Sequence, residues 1–282
     1  MSRSGRRRIG GPADPEESFM DRRSILSLLC VSAMLGLAAP AAHAEDALEA
    51  IQSRKAVRIA VPTDYPPYGF VGPDLKPQGL DIDMAELIGK KMGVKVELVP
   101  VSSANRIPYL QTGKVDLVIS TLGKNAEREK VLDFSSAYAP FYQAVFGGKS
   151  VPVKAPGDMA GHSVAVTRGA MEDQELEKVT PPGVTVKRYE DNAATAAAYV
   201  AGQTELVAIS SAAAGTIMMK NPQTNTEFKF LIKESPCFIG IAKGEDTLKA
   251  KVNAIIAEAK KDGTIDAMSK KWLGREAGDL PL

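Results

Sequence analysis

The chain has 282 residues, 44% of them hydrophobic and 24% charged, a globular composition that excludes disordered, collagenous and disulfide-framework classes. Six Arg and four acidic residues stand in the first 44 positions, leaving 29 Lys and Arg against 30 Asp and Glu in the remainder. So balanced a charge argues against a nucleic-acid partner.

From Met20 the chain reads Asp21-Arg22-Arg23, then an apolar run over 25–39, then Pro40 and Ala42-His43-Ala44. A basic segment, a short apolar core and a small-residue cleavage site make a secretory signal peptide cut near Ala44, so residues 1–44 are read as a leader. The apolar run is shorter than the roughly 18 to 20 residues that a membrane-spanning helix needs. Residues 1–19 are polar and Arg-rich, which fits either a start at Met20 or an extended leader. Arg22-Arg23 followed by Ser24-Ile25-Leu26 also resembles a twin-arginine export signal. Cys30 leaves with the leader, and Cys237 then has no partner for an intramolecular disulfide. His162 is the one histidine beyond the leader, so a zinc site or a Ser-His-Asp triad lacks material, and no metal or cofactor is expected.

Beyond the leader, β-branched apolar runs alternate with amphipathic helical patterns, the signature of an α/β fold. Strands are predicted at 57–61, 94–99, 115–119, 163–166, 184–188 and 206–209. Asp81 is the predicted N-cap of a helix that runs to Met92 and stops at Gly93. The Ala-rich stretches 193–198 and 212–214 read as helix. Leu248, Val252, Ile255, Ile256 and Ala259 make one apolar stripe of a helix that Asp262-Gly263 closes. Two stretches break the alternation, 137–150 with its Gly147-Gly148 pair and 230–244 around Pro236 and Gly240. Read as crossings, they divide the chain into lobe one (45–146 with 244–282) and lobe two (147–243).

Gly79-Leu80-Asp81-Ile82-Asp83-Met84-Ala85-Glu86-Leu87-Ile88 resembles the signature of the family 3 periplasmic solute-binding proteins, the amino-acid receptors of ABC importers. Residues 57–67 resemble that family's first strand and Tyr-Pro-Pro loop, and 110–120 its Leu-x-x-Gly-x-x-Asp turn. Glu127-Arg128 and Asp133-Phe134-Ser135 follow in the family's order, as does the ending from Asp262-Gly263-Thr264 to Lys271-Trp272-Leu273-Gly274. The resemblance implies a periplasmic two-lobed clamshell, each lobe a mostly parallel sheet flanked by helices. A small ligand would be held between the lobes, with hinges near Gly147-Gly148 and 237–240. It also implies an inner-membrane ABC permease as partner, with the receptor itself expected to be a monomer and not an enzyme.

Arg128 is the first candidate binding residue, because a guanidinium matches a carboxylate with a rigid fork of donors and the family uses this position for the ligand's α-carboxylate. The resemblance implies that Ser120 and Thr121 meet the ligand's amine, that Tyr65 lies against its side chain and that Gly123 offers only a backbone N–H where relatives carry Ser or Thr. In lobe two, Gly169 leads into Ala170 and Met171, whose amides are expected to share the carboxylate but which lack the hydroxyls of relatives. Glu172 and Asp173 read as solvated helix-start charges. Ser210 stands where relatives place the Asp that pairs with the ammonium.

The stretches Ser103-Ala104-Asn105-Arg106-Ile107-Pro108 and Asn125-Ala126-Glu127-Arg128 resemble glutamate/aspartate-binding proteins, which makes Arg106 a candidate for a side-chain carboxylate. Arg168 is a third candidate cation. Pro62 occupies the position that touches cationic side chains in basic-amino-acid receptors. With no carboxylate at a matched position, the cleft is expected to favour acidic or polar amino acids. The alternatives are a small carboxylate without an amine, or an enzyme on the same scaffold resembling cyclohexadienyl dehydratase.

Overall fold

The computed structural model describes residues 46–281. The leader and its cleavage site lie outside the described residues. Thirteen strands are described: β1 (Ala56–Val61), β2 (Asp64–Tyr65), β3 (Gly69–Val71), β4 (Pro77–Gln78), β5 (Lys95–Pro100), β6 (Leu117–Leu122), β7 (Leu132–Ala139), β8 (Tyr142–Gly148), β9 (Ser163–Thr167), β10 (Thr185–Tyr189), β11 (Leu206–Ser210), β12 (Thr226–Glu234) and β13 (Cys237–Ala242).

Two five-stranded sheets carry the fold, in the orders β5-β1-β6-β13-β7 and β10-β9-β11-β8-β12, with a small β2-β3-β4 sheet beside them. In the first, β1 pairs in parallel with β5 and β6, while β13 runs antiparallel between β6 and β7. The second repeats this plan, with β9 parallel to β10 and β11, and β8 antiparallel between β11 and β12. Each sheet therefore has a single reversed strand, and each sheet is flanked by helices as expected.

The reversed strands displace the expected boundaries. Strand β8 belongs to the second sheet and β13 to the first, so the chain passes between sheets at Pro140-Phe141 and Ser235-Pro236. Gly147 and Gly240, taken from sequence as crossing signals, lie inside these strands. A Cβ on Gly147 would stand 2.6 Å from a Leu206 methyl, and one on Gly240 would stand 2.7 Å from a Leu122 methyl. Both glycines are packing sites in a sheet rather than hinges.

The predicted apolar stripe is observed, with Leu248, Val252, Ile255, Ile256 and Ala259 all buried on the helix Asp246–Lys261. Asp81 does not cap its helix. Helix Leu80–Met92 starts after Gly79, and Asp81 is fully buried inside its first turn, where its carboxylate is used on the neighbouring sheet instead. No helix among the described residues is long and apolar enough to cross a membrane.

Candidate functional site

Strand β6 ends at the face where α/β sheets place ligands, and its last residues set the geometry of the site. Thr121 has φ +45°, a region that non-glycine residues rarely occupy. Its N–H donates to Asp81 Oδ2 at 2.8 Å, and Tyr138 Oη donates to Asp81 Oδ1 at 2.7 Å. Burial pushes the Asp81 carboxyl up to about 7 against the pull of these two hydrogen bonds and of Arg106. The Ser120 carbonyl, one residue earlier, accepts from Arg106 Nη1.

Arg106 opens the helix Arg106–Gln111 and is 2% exposed. Arg128 sits in the short helix Ala126–Glu129, whose start is fixed by Asn125 Oδ1 accepting from the Arg128 N–H at 2.9 Å. It is 3% exposed and joins the two sheets' loops, donating from Nη1 to the Gly123 carbonyl (2.9 Å) and from Nη2 to the Gly169 carbonyl (3.1 Å). Neither guanidinium has a partner for its Nε. Burial holds both below the ordinary arginine range, Arg128 at about 9 with repulsion from Arg106 adding to the effect, while Glu172 and Asp81 pull Arg106 back up.

The second sheet contributes the residue that sequence reasoning misplaced. Glu172, in the first turn of the helix Met171–Val179, is 4% exposed rather than solvated, and its Oε1 has no partner. Burial raises its pKa, while its own backbone N–H, Arg106, Arg128 and Tyr65 pull it back. Together with Tyr65, Thr121 and Arg106, Glu172 lines a cavity of about 10 Å³ between the sheets. That is about the room one water requires. A larger groove of about 380 Å³ lies nearby, between the helices Asn192–Val200 and Ser211–Lys220, but mainly apolar side chains line it and the buried charges are absent. The smaller cavity carries the chemistry.

The other predicted residues divide. Tyr65 is 5% exposed and its hydroxyl accepts the Ser210 N–H at 3.0 Å, a second link between the sheets' loops. Gly123 and Met171 are one feature, since a Cβ at Gly123 would stand 2.7 Å from Met171 Cε. The absent side chain on one side makes room for the thioether on the other. Gly169 takes φ +72° and its position lies against the Ala104 backbone, which a Cβ would approach to 3.0 Å.

Three expectations are corrected. Arg168 is half exposed and pairs with Glu190 at 3.0 Å, away from the buried charges, because its side chain leaves the sheet on the solvent side. The Ala170 amide is not free for a ligand, since it donates to the Thr167 carbonyl at 3.1 Å in the turn that leads into the helix. Ser210 is the N-cap of the helix Ser211–Lys220, its Oγ accepting from the Ala213 N–H at 3.2 Å. Asp173 is likewise not a solvated charge. It is 8% exposed, binds Arg188 Nε at 2.7 Å and accepts the Gly169 N–H at 3.1 Å, which fixes the glycine turn.

No cluster of metal-ligating side chains occurs among the described residues. His162 lies outside the cavity and pairs with Glu205 at 3.0 Å.

Residues 57–275 match the model of the bacterial extracellular solute-binding proteins, family 3. The chain is 26% identical over 261 residues to the L-cystine-binding protein TcyJ of Escherichia coli (strain K12), covering 92% of this chain and 98% of that protein. To the ABC transporter glutamine-binding protein GlnH of Bacillus subtilis (strain 168) it is 27% identical, covering 83% and 87%. Among solved structures, the ancestral amino acid-binding protein AncCDT-1, described as a precursor of cyclohexadienyl dehydratase, superposes with a TM-score of 0.74 at 31% identity, covering 80% of this chain and 98% of that one. The chain belongs to the family 3 bacterial extracellular solute-binding proteins.

Proposed function

We propose that this protein is a periplasmic receptor that captures a free α-amino acid with an acidic or neutral polar side chain between its two sheets. The monomeric, ligand-loaded form then delivers its cargo to an inner-membrane ABC permease. The observation that carries this reading is the pair of buried guanidiniums, Arg106 lining the cavity and Arg128 bridging the Gly123 and Gly169 carbonyls, each with an Nε lacking a partner. Buried donors without acceptors are costly, and a ligand carboxylate supplies what they lack.

Charge sets the ligand class. Two guanidiniums, offset in part by Glu172 and Asp81, suit a ligand that brings a carboxylate, an anionic amino acid or a neutral zwitterion. A basic amino acid adds a cation beside two guanidiniums and is disfavoured by repulsion. The relatives' names, which include cystine and glutamine binders, agree with an amino-acid ligand.

With about 10 Å³ between the sheets, ligand entry requires them to part, and Pro140-Phe141 and Ser235-Pro236 are the segments about which they would turn. Contacts from both sides then let ligand favour the closed form. A micromolar dissociation constant corresponds to about 8 kcal/mol, part of which goes to closure. Calorimetric titration of protein stripped of carried ligand by unfolding and refolding tests this reading. Binding of an acidic or polar amino acid supports it, and a preference for lysine or arginine refutes it.

Glu172 also favours a second reading, an acid-base enzyme on the same scaffold. A buried carboxyl with a raised pKa beside two cations is placed to donate a proton to a leaving group on an anionic substrate. Incubation with prephenate decides between them: turnover supports the enzyme, and binding of amino acids without turnover of prephenate supports the receptor.

A further inference from the structure

We infer that Glu172 is the residue that binds the ligand's ammonium group, so that the carboxylate missing at position 210 is supplied from the start of a different helix of the same sheet. The inference rests on the amino-acid reading and names a recognition residue within it. Ser210 carries no charge, its Oγ is engaged in capping the helix Ser211–Lys220, and it does not line the cavity. A buried ammonium without an anionic partner is expensive, so an α-amino acid receptor needs an acidic group elsewhere in the cleft.

Three acidic side chains are buried around the site, and their partners differ: Asp173 is committed to Arg188 and the Gly169 N–H. Asp81 is committed to the Thr121 N–H and the Tyr138 hydroxyl. Glu172 lines the cavity, is 96% buried by its 4% exposure, and leaves Oε1 without a hydrogen-bond partner. The charged side chains with unpartnered buried atoms are two donors, Arg106 Nε and Arg128 Nε, and one acceptor, Glu172 Oε1, of which Arg106 and Glu172 line the cavity; the neutral Gln143 amide is unpartnered as well. An α-amino acid head group is the complement of that set, an anionic acceptor next to a cationic donor. In the ligand-free cleft Glu172 is held by the charge of both guanidiniums. When a ligand carboxylate takes the guanidiniums, Glu172 is released to the ammonium. A carboxylic acid without an amine would satisfy the two donors and leave Glu172 buried and unpaired.

The test is a calorimetric comparison of the stripped wild-type protein and Glu172→Gln, using the common L-amino acids and L-cystine, each beside its des-amino acid, such as L-glutamate with glutarate and L-glutamine with glutaramate. The expected result is a loss of amino-acid affinity on the order of 100-fold or more in the variant, with the affinity for the des-amino acid retained. Unchanged amino-acid affinity, or equal loss for both members of a pair, overturns the inference. If the wild type binds no amino acid, the proposed function itself falls and takes this inference with it. If Glu172→Gln does not fold, Glu172→Asp, which keeps the charge but shortens its reach, replaces it. Amino-acid affinity must then fall more than that of the des-amino acid, and equal change for both members of a pair overturns the inference.

Discussion

The wall of the cleft built on the first sheet and the wall built on the second differ in how they reach the same end. On the first, Arg106, Arg128, Ser120 and Thr121 are buried, and the guanidiniums are held by the Ser120 and Gly123 carbonyls and, from the second sheet's side, by that of Gly169. On the second, the residues at the expected positions are taken up internally. Ala170 closes a turn, Ser210 caps a helix, and Met171 fills the space above Gly123. Of the charged side chains on this wall, Glu172 is the one that lines the cavity, beside Thr167, Ala170 and Asn192. One wall ties its guanidiniums to backbone carbonyls, while the other sets a thioether against Gly123 and, as inferred, uses Glu172 in place of an acid at 210.

Arg128→Ala breaks the comparison most severely. It removes a buried cation that ties the two walls together and leaves Glu172 with less compensating charge. Loss of a buried charge partner of this kind costs about 3–5 kcal/mol, to be read from urea unfolding, and amino-acid binding should disappear.

Gly123→Ser sharpens it next. A Cβ 2.7 Å from Met171 Cε forces the thioether to move, an overpacking expected to cost about 1–3 kcal/mol. In the Gly123→Ser/Met171→Ala double variant the clash is gone, so the two changes should cost less together than the sum of each alone. Additive costs would show that the two departures are independent.

Asp81 gives the pH dependence. Its folded-state pKa of about 7 lies above its ordinary value of 3.8, so the folded protein holds the proton more tightly than the unfolded chain. The stability it contributes is full below about pH 4 and is lost as pH rises through about 7. Glu172, also raised, acts in the same direction. Denaturation midpoints at pH 5 and pH 8 should differ less in Asp81→Asn than in the wild type. The smallest effect belongs to Arg168→Ala, a surface pair with Glu190, expected to change stability by no more than about 1 kcal/mol and binding not at all.

These residues also mark where the sequence was legible. The stripe from Leu248 to Ala259 was readable because helical period and burial coincide locally. The six predicted strands fell on β1, β5, β6, β9, β10 and β11, the strands whose apolar runs alternate with helices. Strands β8 and β13 were not readable as strands, since each is paired antiparallel between segments far away in the chain, and their glycines mimic turn signals.

Among the candidate site residues, Arg106 and Arg128 were singled out by motif context, and both are buried. Glu172 was not, because acidic residues at a helix start are ordinarily solvated and its burial depends on contacts with the other sheet. The signal that could have found it was joint: a neutral Ser210, a glycine at 123 and an acid three residues after Gly169, each a departure on its own and consistent only together.

The most direct measurement is calorimetric titration of the stripped wild-type protein and Arg128→Ala with acidic, neutral polar and basic amino acids. The account predicts that an acidic or neutral polar amino acid binds the wild type, that lysine and arginine bind more weakly, and that Arg128→Ala binds none. Tighter binding of lysine or arginine, or equal binding by Arg128→Ala, would contradict it.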